Sequence, residues 1–411
     1  MVVQAAAWLR CASALALICL SALIAACAIQ GGSASLPAPD GGLGEGGNAP
    51  RRSNSIKVAL LLPLTSGGQT AAVANAMKQA AELALFEHDN PDFQLIVKDD
   101  KGTPEGAQAA AEEAVREGAE LILGPLFAGS VRALAPVARQ ASVPVLAFSN
   151  DTQVAGNGVY LLGFPPQQEV RRVISYALSR GHRRFAALLP EDAYGKLVEA
   201  AFRDAVASGG GVISALETYQ PASNAMVEPA EKIVRELREA EEALQPIDAL
   251  FVPGGPETLP RLGPLLSYAN LDPSAVKLLG TGGWDYPNIG REEVFLGGWY
   301  AAPDPRGWRD FSERFAKTFG SSPPRLASMA YDAVSIAIRL ASQPAGSRFT
   351  AANLTRPAGF TGIDGPVRLL ESGIAERGLA ILEVQRVGAS VIDPPSGFGS
   401  TSQLMPSRGF N

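Results

Sequence analysis

"FQLIVKDDKGTPEGAQAAAEEAVREGAELILGP", residues 93–125, holds two apolar runs with a helical pattern between them. Residues 93–100 form a strand, and Thr103-Pro104-Glu105 is a helix start: an N-cap, a proline at the first helical position and an early acid. The helix runs to about Glu117, and "AELILGP" (119–125) is the next strand. Neither run alternates with polar residues, so each strand is buried on both faces. A helix joining two such strands makes them parallel neighbours in a covered sheet.

The pattern extends in both directions. "SIKVALLLP" (55–63) is a strand followed by a helix over 70–88; beyond 125 come a helix (130–141) and the strand "VPVLAFS" (143–149). After "GVYLLGFPP" (158–166) a second series begins: helix 167–180, strand 184–191, helix 194–208, strand 212–219, helix 228–244, strand 247–255, helix 257–269 and strand 276–283. Two successive α/β series of this kind are two Rossmann-like lobes with parallel sheets flanked by helices, which is also what 411 residues require. In such sheets ligands sit beyond the carboxyl ends of the strands. One of those ends, "LAFSNDTQVAG" (146–156), stops at Ser149, Asn150, Asp151 and Thr152, polar enough to hold a small solute.

The composition, 46% hydrophobic against 18% charged, is globular, and a net charge of −6 leaves no basic face for nucleic acid. The first 26 residues read as a signal peptide: Arg10, an apolar stretch from Cys11 to Ala26, then Cys27. Ile24-Ala25-Ala26-Cys27 resembles a bacterial lipobox, which implies acylation of Cys27 and periplasmic localisation on a membrane, the outer one in a Gram-negative cell. Two of the three cysteines then leave with the signal and the third carries lipid, so no disulfide or cysteine metal site is expected. Residues 27–54 are a flexible Gly/Pro-rich tether with a reach of roughly 30 Å, and residues 393–411 a disordered tail. Gly42 to Gly47 match a dinucleotide fingerprint formally, but neither a strand nor a helix flanks them.

Residues 55 to about 390 resemble the type I periplasmic binding proteins of the branched-chain amino-acid receptor branch. The resemblance rests on "VALLLPLTS" (58–66), "VKDDKGTPEGAQAAAEEAV" (97–115), "LILGPLFAGSV" (121–131), "VPVLAFSND" (143–151) and "LLPEDAYGKLVEAAF" (188–202). It continues through "ALFVPGG" (249–255), "GTGGW" (280–284), "MAYDAVSIAIRLA" (329–341) and "GFTGIDGPVRL" (359–369). It implies two lobes joined by three crossovers, near 166, 297 and 363: residues 55–166 with 298–362, and 167–297 with 363–392. Helices 306–319 and 325–342 return to the first lobe.

In amino-acid receptors of this family a serine after the "LILG" strand and the loop after the next strand hold the ligand carboxylate. Here the serine position falls on Ala128, with Ser130 two residues on, and the threonine position on Asp151 or Thr152. The second-lobe aromatic is replaced by Pro256 and the ammonium-binding acid by Gly282. A buried ammonium needs a counter-charge, so leucine, isoleucine and valine are expected not to bind unless Asp192, Glu257 or Asp285 substitutes. Ser66, Tyr194 and Trp284 complete the cleft candidates; Asp192 with Tyr194 also reads as a helix start, and Trp284 as a packing residue.

The chain has no G-x-S-x-G elbow, phosphate loop or H-E-x-x-H, so a non-enzymatic binding protein without cofactor or metal is expected. The lost anchors and the lipobox make it most similar to the penicillin-binding protein activators, lipoproteins that contact a peptidoglycan synthase. The alternative is the substrate-binding component of a branched-chain-type amino-acid ABC transporter, with a permease as partner.

Overall fold

The computed structural model describes residues 55–221 and 225–398. The signal segment, Cys27, the tether, the 42–47 glycines and the tail beyond 398 lie outside the described residues.

Lobe 1 is built on β1 (Ile56–Leu62), α1 (Gly68–His88), β2 (Phe93–Asp99), α2 (Pro104–Arg116), β3 (Leu121–Leu123), α3 (Ala128–Gln140), β4 (Val145–Ala147) and β5 (Val159–Leu161). All five strands pair in parallel, in the order β2-β1-β3-β4-β5. Thr103 caps α2 as its sequence requires, its Oγ1 accepting from the Gly106 N–H at 3.0 Å, worth about 1 kcal/mol. Because strand side chains alternate, Val58, Leu60 and Leu62 enter one core, while Ala59 and Leu61 enter another against α2 and α3.

The chain then crosses to lobe 2. It contributes α4 (Pro166–Ser179), β6 (Arg184–Pro190), α5 (Ala193–Ser208), β7 (Val212–Tyr219), α6 (Val227–Glu242), β8 (Ala249–Phe251), α7 (Leu259–Tyr268), β9 (Lys277–Gly280) and β10 (Trp299–Ala302). It returns with α8 (Pro305–Phe319), α9 (Ala327–Ala341) and α10 (Ala351–Leu354), of which α9 lies along α1. The last elements are β11 (Phe360–Gly362), β12 (Gly365–Leu369), β13 (Ala375–Arg377), β14 (Ala380–Val384) and β15 (Ala389–Asp393). Among the described residues no helix is long and apolar enough to cross a membrane.

Two of the three crossovers fall later than the resemblance implied. Trp299–Ala302 pairs with β9 and β14, so the second crossing follows residue 302 rather than 297. The third follows Arg377 rather than 363, because β11, β12 and β13 form a small antiparallel sheet whose Phe360, Val367, Leu369 and Ala375 enter the lobe 1 core. Only β14 and β15 go to lobe 2, and they pair antiparallel, so that sheet is mixed, in the order β15-β14-β10-β9-β8-β6-β7. The described part of the C-terminal segment is also engaged: Asp393 pairs with Arg172, and Arg368 stacks on Phe398 at 4.8 Å.

Lobe 2 repeats the two-sided burial, with Phe185, Ala187 and Leu189 on one face of β6 and Ala186 and Leu188 on the other. Under its carboxyl edge lies Trp284, fully buried, with its Nε1–H donating to the Val252 carbonyl at 2.9 Å. A Cβ on Gly280 would stand 2.2 Å from that indole ring. Gly280→Ala is therefore expected to lower unfolding stability by about 2 kcal/mol or more, read as a lower urea midpoint. An unchanged midpoint would contradict this packing.

Candidate functional site

The carboxyl ends of the lobe 1 strands stand level, since Leu62 pairs with Asp99, Leu60 with Leu123 and Leu123 with Leu146. Four loops leave this edge. In the first, Ser66 Oγ donates to the Pro63 carbonyl at 2.9 Å and Thr65 Oγ1 donates to Asp99 Oδ2 at 2.5 Å, so both hydroxyls are spent on shaping the loop. In the fourth, Ser149 Oγ accepts from the Asp151 N–H at 3.1 Å, and Asp151 Oδ1 accepts from the Gln153 N–H at 3.0 Å, capping a short turn over Thr152–Val154. Asp151 also lies 3.9 Å from Arg132. These bonds fix the loop backbone and leave the exposed Asn150 and half-buried Thr152 side chains at its surface.

Ser130 differs from these. It is buried in the first turn of α3, its Oγ has no hydrogen-bond partner among the described residues, and no side chain caps that helix. An uncapped helix start presents free N–H groups and the positive end of the helix dipole. Asp100, at the end of β2, is also buried; its Oδ1 accepts from the Gly102 N–H at 2.8 Å and its Oδ2 has no partner among the described residues. Burial pushes its carboxyl up to about 6.

On lobe 2, Asp192 caps α5, accepting from the Gly195 N–H at 2.7 Å. The Tyr194 hydroxyl lies 2.8 Å from Thr281 Oγ1, and burial raises its pKa well above the usual tyrosine range. Glu257 is exposed. Asp285 accepts from the Tyr300 hydroxyl at 3.2 Å, and desolvation pushes its carboxyl up. Trp284, a cleft candidate from sequence, is instead entirely interior and takes the packing role.

The sequence did not single out Glu169, in the first turn of α4. Its Oε2 accepts from the Gly282 N–H at 2.9 Å, and a Cβ on Gly282 would stand 2.9 Å from its Oε1. The side chain is partly exposed, and burial raises its carboxyl to about 7, with Asp285 adding to the rise. The acid missing at position 282 is thus present in the same space, delivered by a helix 113 residues earlier in the chain. "PPQQEV" (165–170) gives only an ordinary first-turn acid as its signal, since acids favour that position in any helix.

Taken together, lobe 1 offers hydrogen-bond donors at a helix start, and lobe 2 offers carboxylates with a protonated tyrosine. Among the described residues no group of His, Cys, Asp and Glu side chains could hold a metal ion.

Residues 55–389 match the family model described as periplasmic binding protein. A putative branched-chain amino acid ABC transporter structure from Rhodospirillum rubrum superposes with TM-score 0.72 at 18% identity, covering 82% of this chain and 100% of that one. An ABC-type branched-chain amino acid transporter from Rhodopseudomonas palustris CGA009 gives 0.65 at 19%, covering 83% and 95%. A solute binding protein of an ABC transporter from Rhodopseudomonas palustris BisB5, in complex with 3,4-dihydroxy benzoic acid, gives 0.55 at 21%, covering 84% and 99%. At such identities these likenesses bear on the fold alone. An uncharacterized protein of Rickettsia prowazekii (strain Madrid E), RP748, is 22% identical over 233 residues, 55% of this chain, and the match spans only 60% of that relative's length. With the family model spanning both lobes, the chain belongs to the periplasmic binding protein family.

Proposed function

We propose that the protein is the solute-binding component of an ABC transporter and closes on a zwitterionic α-amino acid of the branched-chain type. The observation that carries this reading is the Glu169 carboxylate beside the Gly282 N–H. The activator reading of the sequence rested on the lost amino-acid anchors and the lipobox; of those anchors, Glu169 supplies the second-lobe counter-charge. The neighbours of known fold described as branched-chain transporters support the same choice.

The solute's carboxylate would meet the uncapped start of α3, with Ser130 and the Asn150–Thr152 loop around it; its ammonium would meet Glu169, with Asp285 and Tyr194 nearby. Each charged end would then be paired inside the closed cleft, which a desolvated zwitterion requires. The ABC permease is the corresponding partner, reached from a lipid anchor at Cys27 in the periplasm.

Calorimetric titration of the ligand-free protein should give micromolar binding of leucine, isoleucine or valine, weakened at least tenfold by Glu169→Gln, or about 1.4 kcal/mol. If none of the three binds, the receptor reading fails and the synthase-activator reading takes its place.

The pH dependence follows from the raised carboxyl of Glu169. Its pKa is about 7 in the folded chain against 4.5 ordinarily, so the folded state holds that proton more tightly than the unfolded one. The stability this contributes is full below about 4.5 and is lost as pH rises through about 7. Wild type should therefore lose stability relative to Glu169→Gln across that window. Amino-acid binding should tighten as pH rises through 7 and, at pH 6, release a proton, seen as a binding enthalpy that varies with the buffer's ionisation heat. A buffer-independent enthalpy would remove Glu169 from the ammonium site.

For the anchor, the wild-type chain is expected to be cleaved before Cys27 and to carry acyl mass on it, and Cys27→Ser to lose that acyl mass. An unchanged mass would rule the anchor out.

A further inference from the structure

A second concavity flanks the third crossing. A cavity of about 450 Å³ is lined by Arg171 and Arg172 of α4, Arg368 of β12, Glu376 and Arg377 of β13, and Phe398. Its walls come from both lobes, and none of the cleft candidates lines it.

The charges in this cavity do not balance. Arg172 pairs with Asp393 and donates through Nε to the Leu379 carbonyl at 2.9 Å. Arg368 pairs with Glu376 and lies over the Phe398 ring at 4.8 Å. Arg171 is exposed and pairs with no carboxylate among the described residues. Arg377 is only 7% exposed; its Nη2 donates to the Leu162 carbonyl, while its Nε and Nη1 have no hydrogen-bond partner among the described residues.

Four guanidinium groups therefore share one cavity with Glu376, and of their other acidic neighbours Asp393 is already taken by Arg172. Asp332 and Asp364 act on Arg377 from the buried side, but Asp364 is itself held by Arg325 at 2.5 Å and by the Ser328 hydroxyl at 2.6 Å. Like charges gathered in one concavity repel one another, and an anion relieves that repulsion. The planar arginine fork donates two parallel N–H bonds, a geometry that fits the oxygens of a phosphate group. The cavity also has room beyond a single water or chloride ion.

We infer that this cavity is a binding site for a small oxyanion of the phosphate class, held by Arg171 and Arg368 at the rim, with the buried Arg377 adding its positive charge from behind the wall rather than a hydrogen bond. Because α4 belongs to lobe 2 and β12 and β13 to lobe 1, such an anion bridges the lobes beside their last connection. The inference is independent of what the cleft binds.

Thermal unfolding of the full chain, titrated with inorganic phosphate against chloride at matched ionic strength, tests it. Phosphate should raise the melting temperature by a few degrees in a saturable manner. Arg171→Ala and Arg368→Ala should each weaken the apparent phosphate affinity at least tenfold, while Arg203→Ala, on α5 and paired with Glu199, should leave it unchanged. A shift reproduced by chloride, or one that both rim variants retain, overturns the inference.

Discussion

The buried guanidinium of Arg377 ties two of the three interlobe crossings to each other. Its Nη2 donates to the Leu162 carbonyl, its plane lies 3.9 Å over the Phe164 ring, and its backbone N–H donates to Gln168 Oε1 at 3.0 Å. Gln168 completes the link through its own amide, which donates to the Ala375 carbonyl. These contacts set where α4 begins relative to the small antiparallel sheet of lobe 1. Glu169 follows Gln168 directly, so the contacts that hold the connection also hold the cleft acid against Gly282.

Charged residues at the connection must be satisfied where water is scarce. Asp332, buried in α9, accepts from the Ile363 N–H at 2.7 Å, and burial together with Asp364 raises its carboxyl to about 7. Gly362 is required beside it, since a Cβ there would stand 2.3 Å from Asp332 Oδ2. Asp364 is held by Arg325, whose guanidinium lies 4.5 Å over the Trp308 ring. Removing one member of such a buried set leaves an uncompensated charge and costs about 3–5 kcal/mol, whereas the intact set contributes little net stability. Its role here is positional: it fixes where the chain passes between lobes.

Much of the fold was legible in the sequence because strands buried on both faces are continuous apolar runs, as in "VALLL" (58–62) and "FAALL" (185–189). Helix starts such as Thr103-Pro104 and Asp192 were legible because capping is local chemistry. The small sheet was not. Its strands are three to five residues long and contribute few apolar positions, so nothing in the pattern tells which lobe they join. Sites divided in the same way. Ser149 and Asp151 were found as a polar loop, yet their side chains are engaged in shaping it, while Ser130 owes its interest to a missing partner that only packing reveals. Glu169 was invisible because its meaning depends on a contact 113 residues away.

Arg377 and Gln168 hold α4, and α4 holds Glu169, so the connection between the lobes and the proposed ammonium site are one construction. A structure of the protein with leucine bound tests it most directly. The account predicts the ligand nitrogen at about 2.7–3.2 Å from a Glu169 carboxylate oxygen and its carboxylate at the start of α3. A ligand seated in the cleft with Glu169 still bonded to Gly282 and out of reach of the ammonium would contradict it.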